Sequence, residues 1–146
     1  MVDAPRLRVL LQRLEARCRR LDGYAALPVE EFLAAAERAD ASKYLLVTVI
    51  EDALSATNHV IAAEGYRPPS DYADAFRSLA EAGVLDAGLS DRLQAMARFR
   101  NLLVHGYADV DDRRVHGYLR DDLKDLRAFV AAIVTAFPGP EPDRLG

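Results

Sequence analysis

The sequence has few of the residues that form disulfides or metal sites. It contains one cysteine, Cys18, among 146 residues. An intramolecular disulfide is therefore excluded, and a reducing compartment is the expected environment. The three histidines and this cysteine are widely scattered and show no spacing typical of zinc ligands. We predict no bound metal and no cofactor, and we expect a cytoplasmic protein.

Long hydrophobic runs are also missing. The apolar runs are only a few residues long, so we predict no segment that spans a bilayer. The N-terminus has arginines but no apolar stretch followed by a cleavage site, so we expect no signal peptide. With 51% hydrophobic and 29% charged residues, the composition is that of a soluble globular domain with a core of its own.

Positive charge is scarcer than negative charge, and the net charge is −4. Nucleic-acid-binding domains are more often basic, so this balance argues against long-range attraction of RNA but not against a local basic site. Lysine is rare: Lys43 and Lys124 stand against 17 arginines. Arginine makes forked contacts with phosphate, although we attribute the general excess to compositional bias.

Strand and repeat signals are absent, and apolar residues recur at spacings of three and four nearly throughout. The pattern predicts an all-α fold, an antiparallel up-and-down bundle of four to five helices. It forms one domain over residues 1–137 with a non-helical, proline-containing tail at 138–146. The predicted helices start at a cap on Asp3 and stop at Gly23, form a short turn after Pro28, then run from about Ala41 to Ala63, from Tyr72 to Gly83, from Gly88 to His105 and from Asp112 to Phe137.

One charged residue breaks the pattern of the helix that ends near His105. On a helical wheel, Arg100 projects into the apolar arc, whereas Gln94, Arg98, Asn101 and His105 form a polar stripe. An arginine in that position must extend to solvent, pair with a carboxylate or face a second chain. An ion pair with Glu51 or Asp52 on the long helix is one interpretation.

His105 lies five residues after Arg100, about 140° around an ideal helix, so one straight helix does not aim both side chains at one point. Two explanations remain open. The helix frays before Gly106, or two copies of the helix face each other and build the site across a dimer. Taken alone, His105 is better explained as a C-terminal residue that stabilises the helix dipole, and its spacing from Arg100 and Tyr107 is what favours a functional role.

The other two histidines, His59 and His116, also stand next to residues that suggest a function. Val-His-Gly-Tyr occurs a second time around His116, but acidic residues replace the upstream Arg-Asn, so we interpret His116 and Tyr118 as structural. His59 shares a polar stripe with Asp52 and Ser55. A Ser-His-Asp triad needs converging geometry and an oxyanion hole, so a solvated face or a wall of a dimer cleft is the preferred interpretation.

The segment Arg100-Asn101-Leu102-Leu103-Val104-His105-Gly106-Tyr107 resembles the Arg-x4-His-x-Tyr motif of the HepT-like toxins of the HEPN superfamily. The Pro-Pro-Ser-x-Tyr turn at 68–72 and much of the chain from about 40 to 130 are similar to the same family. The resemblance implies a metal-independent endoribonuclease, usually a homodimer, with targets that include tRNA. It also implies an MntA-like nucleotidyltransferase antitoxin that attaches AMP to Tyr107.

The residue types suit this chemistry. Histidine titrates in the useful range, so His105 can act as base or acid in attack by the RNA 2′-hydroxyl. Arg100 can stabilise charge on the phosphorane oxygens, while Asn101 and Tyr107 serve as supporting or substrate-binding residues. Tyr107 is alternatively a packing aromatic. Rival functions are a non-catalytic bundle that docks a nucleotidyltransferase or RNA, and a purely structural dimerisation bundle that leaves Arg100 unexplained.

Overall fold

The computed structural model describes residues 1–106 and 109–139, which form seven helices and no strand. The helices are α1 (Ala4–Ala25), α2 (Val29–Leu33), α3 (Ala36–Glu64), α4 (Tyr72–Glu81), α5 (Ala87–His105), α6 (Asp112–Asp121) and α7 (Leu123–Ala136). The predicted all-α bundle is confirmed. α1 packs along α3 and α4 along α5. The edge-to-face rings of Phe76 and Phe129, with centroids 5.9 Å apart, join α4 to α7 in the core.

Helix α1 follows its predicted seam but ends later than predicted. The backbone N–H of Arg6 donates to Asp3 Oδ1 at 3.1 Å, which is the expected N-cap. The helix continues through Gly23 to Ala25, so the predicted stop was wrong by two residues. A glycine inside a helix costs only about 1 kcal/mol, and Tyr24, just beyond it, packs against the core. The predicted apolar seam is buried along its length: Leu7, Leu11, Leu14, Cys18 and Leu21.

Helix α3 is the long central helix, and Gly65 ends it in the left-handed conformation with a φ of 69°. By length and composition this helix is apolar enough to cross a membrane, contrary to the expectation from short apolar runs. However, 61% of its most apolar window is buried inside the bundle. The burial explains the hydropathy as that of a core helix. Lys43, also buried, pairs with Asp112 of α6 at 2.9 Å.

Helix α4 is anchored at both ends by polar contacts. Its N-cap Asp71 accepts from the backbone N–H of Asp74 at 2.7 Å. The guanidinium of Arg67 contacts Asp74 at 2.7 Å and Glu81 at 2.6 Å, so one side chain spans the helix. The Arg67 hydrogen bonds, followed by the backbone N–H of Ser70, hold the pKa of Asp74 well below its usual range. This network fixes the turn that leads into α4.

The apolar seam predicted as a single last helix is two helices in the structure. Helix α6 ends at Asp121, the backbone bends at Asp122, where φ is −113° and ψ is −15°, and α7 begins at Leu123. Leu119 and Leu123 are buried on either side, so the apolar pattern continues across the break and hides it from the sequence. Pro138 and Gly139 are non-helical as predicted, whereas residues 140–146 of the predicted tail lie outside the described residues.

Candidate active site

Arg100 is held in place by α3. It lies on α5 with a side chain only 15% exposed, and its Nη2 donates to Glu51 Oε1 at 2.6 Å. Its Nη1 donates to Asn101 Oδ1 at 3.2 Å. Of the two predicted partners, Glu51 makes the contact. The carboxylate of Asp52 instead pairs with Arg17 of α1.

The Arg100 guanidinium retains hydrogen-bonding capacity inside a cleft. Its carbon lies 5.2 Å from the centroid of the Tyr72 ring at the start of α4. The Nε atom is buried and has no hydrogen-bond partner among the described residues. A cavity of about 310 Å³ opens beside it. The walls are formed by α3, α4 and α5 through Glu51, Leu54, Ser55, Asn58, Tyr72 and Arg100 itself.

The N–H donors of Arg100 that have no partner indicate which kind of group the cleft could bind. A guanidinium offers five N–H donors, and contacts with described residues use one on each Nη atom. The remaining donors are suited to the oxygens of a phosphate as well as to those of a carboxylate. Glu51 engages one N–H of Nη2, so a second N–H on each Nη atom stays available to a further acceptor. The cleft is suited to an anionic group.

His105 is the last residue of α5 and is exposed. Its ring makes no hydrogen bond or ion pair within the part of the chain that the structure describes. The N–H of Gly106 donates to the carbonyl of Leu102 at 2.7 Å, so the helix keeps its hydrogen bonding to its end. Fraying before Gly106 is therefore not found. Arg100 and His105 project in different directions from one regular helix, and the structure does not bring them together within a protomer.

The other two predicted site residues are Asn101 and Tyr107, and the structure describes only the first of them. Asn101 is half-buried beside Arg100. Tyr107 lies outside the described residues.

Gln94 was predicted on the polar stripe with Arg98, but it is buried because α4 covers it. Its Nε2 donates to Ser90 Oγ at 3.0 Å.

His59, His116 and Cys18 make contacts that explain them as structural residues. His59 Nε2 accepts from the backbone N–H of Asp3 at 3.1 Å, and Asp52 is paired elsewhere, so these residues form no triad. His116 is buried, its Nε2 lies 2.8 Å from the carbonyl oxygen of Leu27, and its ring packs on a phenylalanine. Burial raises the pKa of Cys18 to about 11, so the thiol stays protonated. No cluster of potential metal ligands occurs among the described residues.

Tyr72 was not predicted as a site residue. It is 47% exposed, follows the Pro-Pro-Ser turn, and forms a wall of the cleft. The sequence offered one signal for it: a large aromatic residue placed at a helix start next to a turn. The packing of α4 against α5 decides which element the start of α4 faces. Local residue spacing does not specify that packing.

The structure defines a helical bundle with an arginine-lined cleft between α3, α4 and α5. A profile of the HepT-like ribonuclease family matches residues 14–133, and the chain belongs to this family. No curated protein sequence matches it.

Solved structures share the fold. A toxin–antitoxin crystal structure with AMP-PNP matches with a TM-score of 0.79 and 22% identity, covering 88% of this chain and 97% of that one. YutE, a cytosolic protein of unknown function from Bacillus subtilis, gives 0.81 and 19%, with 95% and 96% covered. A tri-AMPylated HEPN toxin of Shewanella oneidensis in complex with MNT antitoxin gives 0.76 and 23%, with 92% and 99% covered. At these identities the likeness concerns the fold.

Proposed function

We propose that this protein is a cytoplasmic endoribonuclease toxin of a toxin–antitoxin system, and that Arg100 and His105 carry out its reaction. One observation carries the proposal. Arg100 is mostly buried and fixed by Glu51, it lines a cleft, and it retains N–H groups without a partner among the described residues, the buried Nε among them. In a member of a ribonuclease family, such a group is suited to the charge that develops on a phosphodiester.

The proposed reaction uses the RNA itself as nucleophile. A base removes the proton of the 2′-hydroxyl, whose oxygen attacks the adjacent phosphorus. An acid then protonates the leaving 5′-oxygen, giving a 2′,3′-cyclic phosphate and a 5′-hydroxyl end. His105 is exposed to solvent and suited to either proton transfer. Arg100 stabilises the negative charge on the phosphorane oxygens with its free donors.

The complete site is proposed to form between two protomers. Arg100 and His105 diverge on one helix, so two copies of α5 that face each other bring together what one copy separates. Two large apolar side chains beside the motif, Leu102 and Val104, are 42% and 44% exposed. A second protomer packed against this end of α5 would cover these side chains. In such a dimer one His105 acts as base and the other as acid.

Control by a nucleotidyltransferase is the second part of the proposal. Tyr107 follows His105 by two residues and is the proposed acceptor of AMP. The similar HEPN toxin that is AMPylated in a complex with MNT antitoxin supports this kind of partner. AMP on Tyr107 adds bulk and negative charge where the substrate phosphate must lie, so the modified enzyme is inactive. The proposed substrates are RNAs, with tRNA among them.

Cleavage of end-labelled RNA by the purified protein tests the reaction. We expect Arg100→Ala and His105→Ala each to lower the rate by about 100-fold or more. His59→Gln is the matched control, because glutamine also offers an acceptor to Asp3. A 2′-O-methyl group at the cut position should abolish cleavage. Full activity of either motif variant contradicts the assignment, and a wild-type protein that binds RNA without cutting it is a binding module.

Modification is tested by mass spectrometry after co-expression with the neighbouring nucleotidyltransferase. The expected result is added AMP on Tyr107, its absence in Tyr107→Phe, and loss of RNA cleavage by the modified protein. Absence of AMP on Tyr107 contradicts this mode of control without affecting the assignment of Arg100 and His105.

A further inference from the structure

A second polar cavity has Tyr72 in common with the Arg100 cleft. It has a volume of about 170 Å³ and is formed by the start of α4 and the middle of α5. Tyr72 lines both cavities. Asn101 lines the second cavity and accepts from Arg100, which lines the first. The two cavities therefore share Tyr72 as a lining residue and are joined by one hydrogen bond.

The acidic residues of this second cavity are already engaged by donors. Asp71 accepts from the backbone N–H of Asp74 as the N-cap of α4. Asp74 accepts from Arg67 at 2.7 and 3.0 Å, and also from the backbone N–H of Ser70 at 2.9 Å. Asp74 thus shares the charge of Arg67 with Glu81, and Asp71 has a backbone donor at the helix start. These contacts reduce the repulsion of an anion without removing it.

Two arginines line the same cavity with most of their donors unused. Arg77 Nη2 donates to Gln94 Oε1 at 3.3 Å, and buried Gln94 donates in turn to Ser90, so a buried network orients the Arg77 side chain. Its Nη1 also makes a long ion pair with Asp74 Oδ1 at 3.9 Å. Arg98 is exposed and has no ion pair among the residues that the structure describes. It lies one helical turn before Asn101, so both face the same cavity.

We propose that this second cavity binds an RNA phosphate next to the one that is cleaved, with Arg98 and Arg77 as its ligands. The inference rests on the proposed ribonuclease function. A strand that passes over Tyr72 places one phosphate at Arg100 and a neighbouring phosphate at Arg98. Because the chain carries a net charge of −4, these local arginines supply attraction that the whole molecule does not. Phosphate contacts of this kind fix the register of the strand in the cleft.

The test measures binding of a non-cleavable, fully 2′-O-methylated RNA oligonucleotide at several salt concentrations. Each phosphate contact with a single strand contributes about 0.7 to the slope of log affinity against log salt. We expect Arg98→Ala to reduce the magnitude of the slope by about 0.7 and to weaken binding at low salt by roughly tenfold. Arg20→Ala on α1, at another exposed arginine that lines neither cavity, should leave both the slope and the affinity unchanged.

The outcomes separate this inference from the function on which it rests. An unchanged slope in Arg98→Ala, with wild-type binding intact, overturns the second phosphate site but not the cleavage reaction. A wild-type protein that binds no RNA overturns both. AMP distinguishes a strand from a free nucleotide. If Arg98→Ala weakens AMP binding but not the oligonucleotide slope, the cavity takes a free nucleotide and the inference is wrong.

Discussion

Arg100 Nη2 lies 2.6 Å from Glu51 Oε1, and this ion pair joins the motif helix α5 to the central helix α3. The pair aims a partly buried guanidinium into the cleft beside Tyr72. Glu51 thus acts as a positioning residue for Arg100. A fixed orientation matters because electrostatic stabilisation of a transition state depends on donors that are already in place.

Removing the Glu51 side chain should lower kcat more than it changes KM. In Glu51→Ala the Arg100 guanidinium loses its anchor, and misplacement of a catalytic group slows the chemical step on the order of tenfold. Glu51→Gln keeps an acceptor oxygen and should recover most of the rate. Glu64→Ala, an exposed acid on the same helix, is the control. A wild-type kcat for Glu51→Ala contradicts the positioning role.

Chelation of metal ions should leave RNA cleavage unchanged. In the proposed reaction His105 moves the protons and Arg100 stabilises the charge, so no step needs a metal ion. Rates are compared with and without EDTA, and again after Mg²⁺ is restored. A loss of activity that Mg²⁺ restores would show that the two side chains do not supply the chemistry alone.

A charge in place of Leu102 should weaken self-association. Leu102 is exposed on the last turn of α5, where we propose that the second protomer packs. Burying a carboxylate in that contact is unfavourable, so Leu102→Glu should shift the protein toward the monomer and lower cleavage in parallel. Val9→Glu, at an exposed apolar residue on α1, is the control in analytical ultracentrifugation. Equal association of both variants argues against this surface.

Acid should remove the stabilisation that Asp74 provides. Arg67, and then Ser70, lower the pKa of Asp74 in the folded chain, so the ionised carboxylate favours folding. That stabilisation is present above the unfolded pKa, about 4, and is lost as the pH falls below it. Asp74→Asn should therefore lower Tm at pH 7, with a smaller difference from wild type near pH 3. Exposed Asp91→Asn is the control, and a difference that grows in acid contradicts the assignment.

The sequence predicted the all-α fold well because apolar residues three and four apart mark one face of a helix. The helical wheel also identified Arg100 as unusual, because an arginine within the apolar arc of a helix needs a partner for its charge. Local pattern did not decide between Glu51 and Asp52 as that partner. Neighbouring residues on a helix point about 100° apart, and only the packing of α1 shows that Asp52 meets Arg17.

Other features depended on tertiary packing or on a break without a local signal. Gln94 is polar and was expected at the surface, but α4 covers it. The kink at Asp122 has neither glycine nor proline, and the leucine seam continues on both sides. The wall that Tyr72 forms arises from the contact between α4 and α5. Local periodicity carries no information about which helices meet.

The most direct test of the composite site measures cleavage in mixtures of wild-type and His105→Ala protein after full exchange of subunits. If each site needs His105 from both protomers, only wild-type homodimers cleave, and an equal mixture retains about one quarter of the activity of wild type alone at the same total concentration. Activity then falls with the square of the wild-type fraction. A linear fall, with about half of the activity in the equal mixture, would contradict a site built from two histidines across the dimer.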